Sequence, residues 1–458
     1  MIVGGVVMNT RKKMDLFQLD PSQILVLGFS IVIIIGSILL NLPIASKSGE
    51  SVGFINAFFT ATSSVCVTGL IVVDTGTHWT VFGQTIIILL IQVGGLGFMT
   101  MGTFIAFVVG KKITLKERLV MQEALNQFSI SGIVRFTKYI LITTFVIESI
   151  GAILLSIKFV PRFGWTKGIG YGIFHAISAF CNAGFDLIGN FSSLTGYVDD
   201  VLVNFTICGL IICGGLGYTV ILEMITKKRV SKFSLHSKMV LMITTVLIVA
   251  GFVAIFVLEY NNPDTLQKLS LKGKILASVF QSVSPRTAGF NTVPIDKMTM
   301  ASIFFTILLM FIGGSPAGTA GGIKTTTAGV LILTIISVIK GKEDTQIFDR
   351  RIAKDLINRA LAVVGIAMMI VVVITILLSI TEKGFQFIEI LFEVVSAFGT
   401  VGLSVGITSK LTSIGKILIA FTMFAGRVGP LTIAVALAKK QKKEKACIRY
   451  PEDKVIVG

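Results

Sequence analysis

The sequence predicts an all-α polytopic membrane protein of four consecutive units, each a spanning helix, a re-entrant loop and a second spanning helix. Three observations carry that prediction. Of the 458 residues 53% are hydrophobic and only 14% charged, with a mean hydropathy of +0.88, a composition outside the soluble range. Eight apolar stretches are long enough for a bilayer crossing, which takes about 20 residues. Between the two members of each successive pair lies a shorter, half-polar stretch that ends in the same kind of glycine signature.

The apolar stretches fall near 23–43, 81–109, 134–157, 199–226, 237–259, 301–339 (interrupted), 357–380 and 412–438. They divide the chain into an N-terminal segment 1–22, units at 23–110, 134–227, 237–340 (with a broken second helix) and 357–439, and a tail 440–458. Lys and Arg number 3 before residue 23, 6 in 111–138, 5 in 227–238, 6 in 340–359 and 7 in 439–458. The alternate segments 44–80, 158–198, 261–300 and 381–411 carry 1, 3, 5 and 2. The positive-inside rule then places both termini in the cytoplasm and lets all four glycine loops enter from outside. The net charge of +17 is spread over five loops and tails, which argues against nucleic-acid binding. No cleavable signal peptide is expected, because the first apolar helix is long and no small-residue cleavage site follows it. Cys66, Cys181, Cys208, Cys213 and Cys447 form no C-x-x-C pair and read as free thiols, and three scattered histidines suggest no metal site.

The four signatures are Val67-Thr68-Gly69, Asn182-Ala183-Gly184, Thr287-Ala288-Gly289 and Thr400-Val401-Gly402, with glycines 115, 105 and 113 residues apart. Phe59, Phe174 and Phe392 stand ten residues before their glycine and Ser63, Ser178 and Ser396 six before; in the third copy Phe280 stands nine before. Dehydrating a monovalent cation takes oxygens that replace its water, and backbone carbonyls supply them without fixed charge. Turning several carbonyls inward takes dihedrals that glycine adopts without a Cβ penalty. Irregular backbone at membrane depth must line a cavity or lie buried in protein, so four such loops facing one axis would form a central cation pore. Glycine also serves close helix packing in membranes, but repetition at matched spacing favours the filter.

A second glycine motif lies in each second span: Gly94-Gly95-Leu96-Gly97, Gly214-Gly215-Leu216-Gly217, Gly313-Gly314-Ser315-Pro316 and Gly426-Arg427-Val428-Gly429-Pro430. In the first two units close packing and a hinge are equally good readings. In the third, the run Gly313-Gly314-Ser315-Pro316-Ala317-Gly318-Thr319-Ala320-Gly321-Gly322 holds five glycines and a proline, and no regular helix survives that. A polar interruption beneath the third filter is a candidate intramembrane gate. Gly318 to Thr325 is similar to a phosphate-binding loop, but Ile323 separates Gly322 from Lys324 and no soluble strand precedes it. Lys324 and Arg427 are the basic residues deep in predicted spans. Each either forms an electrostatic barrier at the pore, bonds the free carbonyls of the broken helix, or pairs with Glu148.

The four loops, Pro285-Arg286-Thr287-Ala288-Gly289-Phe290-Asn291, the run Gly314 to Thr327, Gly426-Arg427-Val428-Gly429-Pro430, Lys116-Glu117-Arg118 with Gln122 to Gln127, and Ile448-Arg449-Tyr450-Pro451 together resemble the Trk/Ktr/HKT superfamily of potassium transporters. The likeness is greatest to the membrane subunit of bacterial Ktr systems. It implies potassium as substrate, sodium as activator or co-ion, no organic cofactor, a multi-pass place in the bacterial plasma membrane, and Gly69, Gly184, Gly289 and Gly402 as selectivity-filter glycines. It implies residues 313–327 as the gate faced by Arg427, and a homodimer on a cytoplasmic ring of nucleotide-binding (KtrA/KtrC-like) subunits. Cys66 departs from the threonine common in relatives. The basic cytoplasmic face, with apolar anchors Leu119, Val120 and Phe348, would dock that ring, or else hold anionic membrane lipid.

Two other classes compete. A secondary transporter for another solute predicts inverted repeats and a midplane carboxylate; the four repeats here share one direction, and Glu148 is the clearly intramembrane acid. A membrane enzyme predicts paired carboxylates, H-E-x-x-H or an activated nucleophile in a span, and none is present in the sequence.

Overall fold

Helix starts are written into the chain as side-chain caps. Thr80, Asp200, Thr299 and Thr412 each accept backbone N–H bonds at the head of the second helix of a unit, satisfying donors that a helix cannot satisfy itself. The computed structural model describes residues 20–109, 113–125 and 131–437. The terminal segments 1–19 and 438–458, with Cys447 and the whole basic tail, lie outside the described residues.

The first unit comprises α1 (Pro21–Leu40), α2 (Phe54–Val65), the single turn α3 (Thr75–His78), α4 (Val81–Leu96) and α5 (Phe98–Val109). A linking helix, α6 (Leu115–Ala124), opens on a Thr114–Glu117 capping box. The second unit is α7 (Ile133–Phe163), α8 (Trp165–Phe180), α9 (Val201–Leu216) and α10 (Tyr218–Lys227). The third is α11 (Leu235–Glu259), α12 (Leu271–Val283), α13 (Met300–Phe311) and α14 (Thr325–Ile339), followed by a small hairpin of β1 (Gln346–Ile347) and β2 (Arg350–Arg351). The fourth is α15 (Lys354–Thr381), α16 (Phe387–Gly399), α17 (Ser413–Val428) and α18 (Pro430–Leu437).

Among the described residues α1, α7, α11 and α15 are each long and apolar enough to cross a membrane. The pairs α4–α5 and α9–α10 pass the same test as helices bent by 99° and 98°. Ile34, Ile153, Val249 and Met369 lie open on the outer faces of the long helices, a surface suited to lipid rather than water. Inside them sit the short helices α2, α8, α12 and α16. Their phenylalanines Phe59, Phe174, Phe280 and Phe392 are all buried, so the repeated Phe of the sequence frame is the residue that anchors each short helix in the core.

Two expectations need correction. The span read as 134–157 continues to Phe163, because Lys158 does not end it: its amine pairs with Asp200 at 2.9 Å. Val120, read as a docking anchor, is 2% exposed and packs inward, whereas Leu119 is 39% and Phe348 46% exposed.

Acids buried at helix ends hold the third and fourth units together internally. Glu259 at the end of α11 accepts from Thr299 N (2.8 Å) and Oγ1 (2.7 Å), and Glu382 after α15 accepts from Thr412 N (3.0 Å) and Oγ1. Each carboxylate thus fastens the first helix of its unit to the head of the second, with charge-assisted bonds of about 1.5–3 kcal/mol each.

Candidate functional site

The four short helices end where the glycine signatures begin, and the backbone reverses hand there in the same way four times. Val67, Asn182, Thr287 and Thr400 have φ of 56°, 60°, 70° and 49°, and Gly69, Gly184, Gly289 and Gly402 follow at 94°, 70°, 78° and 88°. The left-handed region costs a non-glycine residue about 1–2 kcal/mol. Backbone bonds offset that: Thr68, Ala183 and Val401 N–H bond the carbonyl five residues back, on Ser63, Ser178 and Ser396, at 2.7–2.8 Å. In the third unit Ala288 N bonds Ser284 O, four back, at 2.9 Å. That shorter closure is the physical reason for the Phe280 spacing of nine.

The serine side chains complete the brace. Ser63 and Ser396 Oγ accept from Gly69 and Gly402 N at 3.1 Å, and Ser178 Oγ donates to Phe185 O at 2.7 Å. Ser284 Oγ donates to Phe290 O in the third unit.

The four glycines form a closed ring in chain order. A Cβ added to Gly69 would stand 2.5 Å from Ala183 O, one on Gly184 2.7 Å from Ala288 O, and one on Gly289 2.5 Å from Val401 O; one on Gly402 would meet Thr68 O and close the circle. Each glycine therefore abuts the carbonyl that precedes the next glycine, and no side chain fits between neighbouring loops. Asn182 and Thr287 add a side-chain hydrogen bond of 3.2 Å between the second and third loops. On one side of the ring lies a cavity of about 500 Å³ whose wall includes all four glycines.

On the other side the chain between α13 and α14 crosses the molecule. Gly313 N bonds Ile323 O at 2.8 Å and Thr325 N bonds Gly314 O at 3.0 Å, pinching the two ends of the run together. Ser315 and Thr319 N–H bond the Gly215 and Gly214 carbonyls at 2.8 and 3.1 Å, and Tyr218 N bonds Ala317 O at 3.0 Å. The loop thereby takes up carbonyls left free where α9 ends. Gly321 packs on the Thr400 side chain and Gly313 lies against Thr287, so the run touches the ring itself. Pro316, Gly318 and Lys324 line a second cavity of about 430 Å³ together with Arg427.

Arg427 donates to Thr319 O, Gly94 O and Gly95 O, and Lys324 Nζ donates to Ala320 O at 2.7 Å. Both basic groups therefore bond carbonyls of broken helices. Glu148 is instead held by Gln92 (3.2 Å) and Cys181 (3.8 Å), so the pairing with Glu148 is corrected. Both readings of the second glycine motif hold at once: Gly94, Gly214 and Gly426 leave no room for a Cβ beside the Val65, Phe180 and Phe398 carbonyls, while Gly97, Gly217 and Gly429 (φ 81°, 88° and 95°) are where the helices turn.

Arg286 and Glu393 are buried charges that, like Glu259 and Glu382, escaped the sequence reading. Arg286, 5% exposed inside the third signature, reaches Thr244 Oγ1 at 3.3 Å. Glu393 on α16, fully buried, accepts from the Ser404 and Thr408 hydroxyls. The signal available for Glu393 was an acid in the middle of an apolar short helix, past the capping Glu389, with hydroxyl residues 11 and 15 positions on.

The chain is similar to known proteins over nearly its whole length. The family TrkH, described as a cation transport protein, matches residues 2–447. The chain is 48% identical to Ktr system potassium uptake protein B of Bacillus subtilis over 96% of its own length and 97% of that protein. It is 42% identical to the potassium/sodium uptake protein NtpJ of Enterococcus hirae over 98% and 100%. Its fold superposes on the crystal structure of the potassium transporter TrkH from Vibrio parahaemolyticus with a TM-score of 0.72 at 18% identity, over 94% of this chain and 87% of that one.

Proposed function

The chain belongs to the TrkH family of cation transport proteins, membrane transporters and not enzymes, and on that premise we propose that it is the potassium-translocating subunit of a Ktr-type uptake system. Potassium crosses on the axis of the glycine ring, dehydrated by the carbonyls of Val67-Thr68-Gly69, Asn182-Ala183-Gly184, Thr287-Ala288-Gly289 and Thr400-Val401-Gly402. The bent and broken second helices count as single spans, giving eight spans and four pore repeats with both termini cytoplasmic. The observation that carries the reading is the closure of the ring, each glycine against the carbonyl before the next.

Residues 313–324 form the gate, held shut by the bonds to Gly214 and Gly215 and by Arg427 on Thr319. Arg427 and Lys324 also set a positive potential at the inner cavity, which opposes cations while the loop is in place. Sodium enters as activator or co-ion, a reading supported by the potassium/sodium name of the Enterococcus relative. Relatives named as proteins of a Ktr system support a multi-component assembly, which we take to be a homodimer resting on a cytoplasmic regulatory ring. Leu119 and Phe348, both exposed, remain the apolar docking points for that ring.

Replacing Gly69 with serine tests the filter. The new Cβ meets Ala183 O and the residue must hold φ 94°, so the loop shifts and the potassium/sodium permeability ratio falls at least about tenfold, the equivalent of about 1.4 kcal/mol. Rubidium and sodium uptake by the variant in transport-deficient cells measures it, and an unchanged ratio would overturn the filter assignment.

A further inference from the structure

The residues two positions beyond the filter glycines are Ile71, Asp186, Asn291 and Ser404, and all four line the 500 Å³ outer cavity with the glycines themselves. They form a second ring above the first, and it is chemically unequal: one apolar side chain, one amide, one hydroxyl and one carboxylate. We infer that Asp186 is the affinity-determining residue of the outer mouth, drawing a monovalent cation from solution to the entrance of the glycine ring. The inference rests on the potassium path proposed above and assigns that path an asymmetric entrance, its cavity-facing carboxylate supplied by the second unit.

The geometry supports Asp186 in three ways. Its carboxylate is held in place by the Ile188 amide, bonded to Oδ1 at 3.0 Å, and among the described residues no Lys or Arg forms an ion pair with it. The other charged residues of the cavity wall are different in kind. Asp296 is 52% exposed beside Lys297 at 3.9 Å, and Lys410 is exposed on a turn eight residues past Gly402. Finally, Asp74 sits behind the same loop, buried, its Oδ2 accepting from Phe191 N at 2.7 Å. Its charge adds to the negative potential while its oxygens are occupied by Thr77 and Phe191. Burial first, and then Asp74, push the Asp186 carboxyl up to about 7, so the attraction is greatest above that pH. A cavity with low-dielectric walls focuses such a field and raises the local cation concentration.

The test is the rate of rubidium uptake against external concentration, in transport-deficient cells carrying the full chain. Asp186→Asn should raise KM about tenfold, within the range that electrostatic focusing supplies, with Vmax changed less than about twofold and the potassium/sodium ratio retained; Asp186→Glu should restore KM. Asp186→Cys gives a second route. Labelling from outside with a negatively charged thiosulfonate should lower KM toward the wild-type value, and labelling with a positively charged one should raise it further, with wild type as the reagent control. A wild-type KM for Asp186→Asn, or a shift in the same direction with both reagents, overturns the inference. Should Asp186→Asn fail to assemble, the sign dependence at Asp186→Cys decides alone. Failure of the parent reading looks different: wild type would show no saturable potassium uptake, or Gly69→Ser would leave selectivity unchanged.

Discussion

Three of the four second helices break at a single residue, and the fourth breaks over residues 312–324. Gly97, Gly217 and Gly429 each turn the chain at φ 81–95° and ψ 132–141° and then resume a helix at the next position. The third unit leaves α13 at Phe311 and does not resume until Thr325. The difference lies in where the backbone groups find partners. At a one-residue hinge the freed groups are few: Arg427 takes the Gly94 and Gly95 carbonyls, and the loop takes those of Gly214 and Gly215. In the long break the groups of a whole segment are freed at depth, and they are satisfied by α9, by Arg427 and by the loop's own ends. A single glycine redirects its helix, whereas residues 312–324 run across the molecule against the glycine ring.

Deleting Gly314–Gly321 should therefore have the largest effect, because it removes the proposed gate together with the Ser315 and Thr319 anchors to Gly215 and Gly214. Rubidium flux per folded molecule should rise about tenfold or more, reporting a closing free energy of at least about 1.4 kcal/mol. If the purified variant is folded and its flux equals that of wild type, the contrast between hinge and loop has no functional meaning.

Much of this arrangement was legible in the sequence, for physical reasons. Lipid-facing helices need long apolar stretches, so α1, α7, α11 and α15 announce themselves. Positions without room for a Cβ need glycine, so the ring and both glycine motifs stood out. Burial of charge was not legible. Hydropathy counts Glu259, Glu382, Glu393 and Arg286 against the membrane, and only the fold shows that Thr299, Thr412, Ser404 with Thr408, and Thr244 respectively receive them. The same blindness ended α7 too early, at the Lys158 that Asp200 neutralises. The one-residue offset at Phe280 was visible in the sequence, but its cause, a hydrogen bond closed four residues back instead of five, was not.

Gly217→Ala sharpens the comparison with a smaller effect. The hinge conformation belongs to a region that non-glycine residues occupy at a cost of about 1–3 kcal/mol, and here the added methyl also meets Pro316 O of the loop. The loop must yield, so flux per folded molecule should rise about threefold, alongside the loss of stability. Flux at the wild-type level would mean that the contact between α9 and the loop does not help to hold the gate.

Gly97→Ala is the matching control and should have the smallest effect on transport. Its φ of 81° and ψ of 137° are close to those of Gly217 (88° and 141°), so the backbone strain is nearly the same in both variants, about 1–3 kcal/mol. The surroundings differ: a Cβ at Gly97 meets nothing within 4 Å, because α5 swings away where α10 lies beside the loop. Thermal unfolding in detergent should thus show a loss of stability like that of Gly217→Ala, while rubidium flux per folded molecule stays within about 1.5-fold of wild type. The pair separates two quantities that one variant alone confounds, the strain of the hinge and the contact with the loop. Equal rises in flux for Gly97→Ala and Gly217→Ala would assign gating to helix hinges in general and remove the special role given to residues 312–324.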